Sequence, residues 1–141
     1  MTIISPSILS CDFLNIEQEI SLLENIPNIW LHLDIMDGHF VPNLTFGHPV
    51  INLISKRFNI TLDAHLMVDN PLFYIESLKP YNIHNLTFHI ESTDNPLDLI
   101  NTAKKYYQSV GVSIRPGTSL ASLNSEILSS VDLILVMSVE P

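Results

Sequence analysis

Apolar and polar positions alternate along this chain in two rhythms. In residues 29–36, Leu31, Leu33 and Ile35 alternate with His32, Asp34 and Met36. A period of two predicts a strand with one apolar face and one face of unusual chemistry. Five further segments read as strands: residues 3–9, 61–67, 84–90, 110–115 and 132–138. Between them the apolar residues recur at helical spacing. Ile16, Ile20 and Leu23 mark one stripe, and Val50, Ile51, Leu53 and Ile54 mark a second behind Pro49 in a first-turn position. Asn70-Pro71 and Asn95-Pro96 each read as an N-cap followed by a first-turn proline. The helix after Asn70 stops before Pro80, and the one after Asn95 carries Leu97, Ile100, Ala103 and Tyr107. A short fifth helix is expected around Leu120 and Leu123.

Regular alternation of strand and helix predicts an α/β fold with a parallel sheet flanked by helices, and residues 1–141 as one domain. Two architectures satisfy it, an open doubly wound sheet and a (β/α)8 barrel. No GxGxxG or GxxxxGK[ST] motif follows any strand, which weighs against a nucleotide-binding open sheet. The notable polar residues gather at the C-terminal ends of successive strands, where barrel enzymes place their chemistry.

Composition narrows the class. With 46% hydrophobic and 15% charged residues the chain is of globular type, and its apolar runs, such as residues 131–136, are far too short for a bilayer span. The opening MTIISPSILS has no basic region ahead of its apolar residues, so it reads as a strand and not as a signal peptide. Cys11 is the single cysteine, which rules out an internal disulfide and fits a reducing, cytoplasmic compartment. No neighbouring residue in the sequence would activate it, so it reads as packing. A net charge of −9 argues against nucleic acid or an acidic membrane as partner.

The candidate chemistry lies at the strand ends. His32 and Asp34 come from the second strand and His65 from the third, where Asp63 and Met67 share its face. Two imidazoles and a carboxylate match a site for one divalent transition metal, of the zinc, iron, manganese or cobalt type. A single histidine on an apolar strand is more often a hydrogen-bonded lining residue. Three such groups at matching strand ends tip the reading toward a site. Met36, Met67 and Met137 each end a strand, either as core filler or as an apolar cap that excludes water. Ser7 is either a packed hydroxyl or a hydrogen-bond donor to substrate. His89 and Glu91 are expected to bond each other or a helix N-terminus in a supporting role. His39, His48 and His84 carry no site argument.

Six blocks then fall into a familiar order: SPSILSCDF (5–13), HLDIMDGHFVPNLTFG (32–47), DAHLMV (63–68), FHIE (88–91), GVSIRPGTSL (111–120) and VDLILVMSVEP (131–141). Together they resemble the ribulose-phosphate 3-epimerases along the whole chain. The resemblance implies a (β/α)8 barrel, of which roughly six of eight βα units are present. It implies interconversion of D-ribulose 5-phosphate and D-xylulose 5-phosphate, a step of the pentose phosphate pathway, by proton transfer at carbon 3 through an enediolate. It implies Asp34 as catalytic base and metal ligand, His32 and His65 as further ligands, and His65 and Ser7 as substrate contacts. Met36, Met67 and Met137 would form the apolar cap. The substrate would be a sugar phosphate and the protein a cytoplasmic enzyme, with a homo-oligomer as one open assembly, since family members associate in different ways.

The sequence departs from the family's pattern in lacking the second acid/base aspartate and the Gly-rich phosphate loop, which the family carries beyond the VMSVEP block. The chain is therefore expected to be a C-terminally truncated barrel of low activity on its own. Two other readings stand beside this one: a 3-epimerase for a ketohexose phosphate such as allulose 6-phosphate, and a non-catalytic remnant.

Overall fold

The computed structural model describes residues 2–141. Five parallel strands lie side by side in chain order: β1 (Trp30–Met36), β2 (Thr61–Met67), β3 (Ile83–His89), β4 (Ser109–Ile114) and β5 (Leu133–Val136). Helix α1 (Ile16–Ser21) precedes β1, and four more lie between successive strands: α2 (His48–Arg57), α3 (Pro71–Ser77), α4 (Pro96–Ala103) and α5 (Ser125–Ser130).

The outward strand residues, among them Leu31, Leu33, Ile35, Ala64, Leu66, Leu86, Phe88, Val110 and Val112, are buried in one core. Ile20 of α1, Ile51 and Ile54 of α2, Ile75 of α3, Ile100 of α4 and Ile127 of α5 belong to that same core. All five helices therefore cover the same face of the sheet. A doubly wound sheet reverses its strand order at a switch point and carries helices on both faces. The unreversed order and one-sided helices seen here are those of a (β/α)8 barrel.

The opposite, inward face is polar. His32 and Asp34 of β1, Asp63 and His65 of β2, Asn85, Thr87 and His89 of β3, and Ser109, Gly111 and Ser113 of β4 alternate with the outward apolar set. Gly111 shows how tight this face is. A Cβ built there would stand 2.5 Å from the Thr87 hydroxyl oxygen, 3.1 Å from Leu133 Cδ2 and 3.2 Å from the Leu133 carbonyl oxygen. The Thr87 oxygen already accepts from the Asn85 amide, which discourages it from swinging away. Overpacking of this kind costs about 1–3 kcal/mol. Gly111→Ala is accordingly expected to lower the urea midpoint at an unchanged m-value.

Two expectations fail. Residues 3–9 do not form a strand. They run beside β1 and touch it only through isolated parallel bridges, Ile4 with Ile29 and Ser7 with His32. Pro6 has no N–H to offer a ladder, although its carbonyl accepts from His32. Beyond it the Ser7 side chain caps a 3-10 turn over Ile8–Ser10. The expected six strands are thus five strands and one bridged segment. The fifth helix also lies later than expected. Leu120–Ser122 is only a 3-10 turn, and α5 begins after Asn124, whose side chain accepts from the Ile127 N–H.

Candidate metal and proton-transfer site

β1 and β2 pair in register, so that Asp34 lies beside His65 and His32 beside Asp63. His32, Asp34 and His65 offer ligand atoms that all lie within 4.8 Å of one another. His32 Nε2 is 3.3 Å and His65 Nδ1 is 3.2 Å from the same Asp34 oxygen, Oδ1. The other Asp34 oxygen accepts a short hydrogen bond from the Ser7 hydroxyl. The bridge between Ser7 and His32 is what brings that hydroxyl to the site.

The far nitrogen of each ring is held from behind. His32 Nδ1 is 2.7 Å from Asp63 Oδ2, which also accepts from the Ser5 hydroxyl at 2.9 Å. Asp63 Oδ1 accepts from the Asn85 amide at 2.7 Å, and the Asn85 oxygen accepts from Ser109. His65 Nε2 meets His89 Nε2 at 2.9 Å, and His89 Nδ1 meets Glu91 Oε2 at 3.1 Å. Each imidazole thus turns its free edge toward Asp34 and its bonded edge into the protein. A donor set of two imidazoles and one carboxylate, with the rings oriented by buried partners, fits a divalent transition metal.

Burial alone would raise the Asp34 carboxyl, but hydrogen bonds from His32, His65 and Ser7 outweigh it and hold the group well below the ordinary carboxylate range. Asp63 is lowered too, because its bond to His32 outweighs its burial. Burial works against a charged His32, yet the two carboxylates flanking the ring prevail and lift it to about 9. Burial and the neighbouring His65 push His89 down to about 4, against the pull of Glu91.

A folded-state value above the unfolded one means that the stabilisation from His32 is complete below pH ~6.5 and is lost as pH rises toward 9. At about 1.4 kcal/mol per unit, the loss reaches about 3 kcal/mol. Urea titrations of the metal-free protein are expected to show this decline over that interval, and His32→Gln is expected to abolish it.

The loop from Asp37 to Gly47 is pinned over the strand ends. Asp37 Oδ1 accepts from the N–H groups of His39 and Phe40, and its Oδ2 accepts from the Asp69 N–H. Gly38 has φ +74°, the left-handed region that a glycine enters without steric cost. Thr45 donates to the Asp34 carbonyl at 2.6 Å and accepts from the Met36 N–H at 3.1 Å. Met36 and Met67 pack with Val41 and Phe40 in a small apolar cluster of their own. Met137 does not join it. It is half-buried just past β5, with its N–H on the Ile114 carbonyl. Arg115 reaches the loop from β4, donating to the Phe40 carbonyl at 3.1 Å and lying 4.1 Å over the Phe40 ring. Cys11 packs against the main core, and burial first, then Glu19 and Asp12, raises its thiol.

Asp63, Ser5, Asn85, Arg115 and Thr118 are the supporting residues that the sequence did not assign. Asp63 was the most accessible of them, since period two places it on the face of His65.

A model described as the ribulose-phosphate 3 epimerase family matches residues 3–141. The chain is 48% identical to a ribulose-phosphate 3-epimerase, cytoplasmic isoform, from Oryza sativa subsp. japonica, over 98% of this chain and 62% of that protein. It is 44% identical to a ribulose-phosphate 3-epimerase of Treponema pallidum, over 98% of this chain and 63% of the relative. To that of Mycobacterium bovis it is 42% identical, over 99% and 59%. The chain thus spans about 60% of the length of these curated relatives. Among the described residues no helix is long and apolar enough to cross a membrane.

Proposed function

Because this chain belongs to the ribulose-phosphate 3-epimerase family, we propose that its site removes the carbon-3 proton of D-ribulose 5-phosphate on the way to D-xylulose 5-phosphate. The observation that carries this reading is one carboxylate at the meeting point of two imidazoles and a hydroxyl. A base must stay ionised to take a proton, and the donors around Asp34 keep it so. Asp34 is the base that takes the proton from carbon 3. Ser7 fixes the orientation of the carboxylate through Oδ2, and its hydroxyl, like His65, lies where a substrate oxygen can be bound. Met36 and Met67, under Val41 and Phe40, form an apolar roof that keeps water from returning the proton at random.

His32, Asp34 and His65 would hold one divalent ion, which supplies Lewis-acid stabilisation of the enediolate charge. The protein acts as a single domain in the cytoplasm, on a sugar phosphate, with neither nucleic acid nor membrane as partner.

The test is proton exchange at carbon 3. Incubation with D-ribulose 5-phosphate and a divalent salt in heavy water is expected to replace the carbon-3 proton by deuterium, read by proton NMR. Exchange reports removal of the proton from one face alone, so it reads Asp34 directly. A carbon-3 signal that decays no faster than in buffer would overturn the proposal. Parallel incubation with allulose 6-phosphate separates the pentose from the hexose substrate.

A further inference from the structure

Behind His65 stands a chain of groups that proton transfer at Asp34 does not use. It runs from His65 Nε2 to His89 Nε2 at 2.9 Å, and from His89 Nδ1 to Glu91 Oε2 at 3.1 Å. Glu91 Oε1 accepts in turn from the Arg115 N–H at 2.8 Å and from the Thr118 hydroxyl. His89 is fully buried. Its ring lies 5.0 Å from that of His65, with 25° between their planes, and 4.9 Å from that of Phe40.

The bonding inventory fixes where the protons along this chain sit. An ionised Glu91 only accepts, so the proton between it and His89 sits on His89 Nδ1. A neutral imidazole has one N–H and one lone pair, so His89 Nε2 is an acceptor. It then accepts from an N–H on His65 Nε2. A His65 whose only proton sat on Nδ1 would bring two lone pairs face to face at 2.9 Å unless a second proton were buried on His89. A proton between His65 Nδ1 and Asp34 Oδ1, 3.2 Å apart, is therefore additional to the one on Nε2, and it is the one that a cation displaces.

We propose that His89 and Glu91 form a positioning relay that fixes a proton of His65 on Nε2 and so leaves Nδ1 to a divalent cation. The relay rests on the metal site argued above. Asp63 holds a His32 proton on Nδ1, the other ring position, so once a cation displaces the proton facing Asp34 the two rings offer different nitrogens to one centre. Glu91 lies at the end of β3 and is tied to Arg115 and Thr118 just past β4, so the geometry of one ligand on β2 is set by two strands that supply no ligand.

Long-range nitrogen–proton NMR of the metal-free, nitrogen-15-labelled protein reads the tautomer directly. His65 is expected to be protonated on Nε2 and His89 on Nδ1. Zinc affinity, measured by competition with a chromophoric chelator, is expected to fall about 10–100-fold in His89→Phe, which fills the space without an acceptor. His89→Gln, which offers an amide oxygen near the lost Nε2, is expected to stay close to the parent. If His89→Phe does not fold by circular dichroism, the parent spectrum and His89→Gln decide. A parent His65 protonated on Nδ1 alone would overturn the relay, as would a folded His89→Phe that binds zinc as tightly as the parent. Nε2-protonated His65 in a parent that takes up no zinc would uphold the tautomer assignment and sink the metal reading.

Discussion

Asp34→Ala is expected to weaken divalent-metal binding by well over ~100-fold, more than the loss typical of removing a partner that merely orients a ligand. The reason lies in the convergence at one oxygen. His32 Nε2 and His65 Nδ1 approach Asp34 Oδ1 to 3.3 and 3.2 Å, so the carboxylate is both the shared neighbour of the rings and the only anion in the ligand set. Without it, two imidazoles remain, of which His32 is still held by Asp63. Carbon-3 exchange is expected to disappear with the metal, because a positioned base contributes about 10²–10⁴-fold by itself. Asp34→Asn separates the two losses. Its amide oxygen keeps a weak ligand and an acceptor for Ser7, so some metal affinity returns while the base does not. Zinc competition beside heavy-water exchange measures both. Parent-like affinity in Asp34→Ala would place the cation elsewhere.

Asp63→Ala is expected to destabilise the fold by about 3–5 kcal/mol, the usual cost of removing one partner from a buried charge pair. Asp63 is 6% exposed and accepts from three side chains: His32 at 2.7 Å, Asn85 at 2.7 Å and Ser5 at 2.9 Å. Alanine leaves one N–H of the buried Asn85 amide and the Nδ1 edge of the His32 imidazolium with no acceptor. Asp63→Asn keeps the shape and one acceptor oxygen, so it is expected to fall between alanine and the parent. Urea unfolding at pH 7 without metal is the measurement, read as a midpoint shift at constant m-value. A cost below about 1 kcal/mol would mean that water had replaced the carboxylate.

The outward half of each strand was readable from sequence because its signal is local. Leu31, Leu33 and Ile35 announce a strand by alternation, and Asn70-Pro71 starts its helix with an Asn70 cap on the Phe73 N–H. Asn95-Pro96 also starts a helix, although the Asn95 side chain makes no capping bond. The apolar spacing of Leu120 and Leu123 misled, because a single turn satisfies it, and the stronger Asn124 cap one residue later begins the real helix. Residues 3–9 misled because strand propensity does not register that a proline interrupts the ladder. His32, Asp34 and His65 were legible because adjacent strands pair in register. The contact from His65 to His89 was not, since His65 pairs in register with Thr87. Its diagonal partner two residues on is fixed by the stagger of the sheet, which no single strand reveals. Met137 shares the strand-end position of Met36 and Met67 in the sequence, but it lies outside their cluster.

The sequential strand order also bears on how the chain is made. Trp30 pairs with Thr61, Asp63 with Asn85, Asn85 with Ser109 and Gly111 with Leu133, so each strand closes a loop onto the one synthesised just before it. Closure entropy grows slowly with loop length, and domains form from the N-terminus as the chain emerges. The three side chains that could hold a cation among the described residues belong to the first pair of strands, and the last of them is His65. On the ribosome, the cation-binding corner is encoded before the sheet that will shelter it.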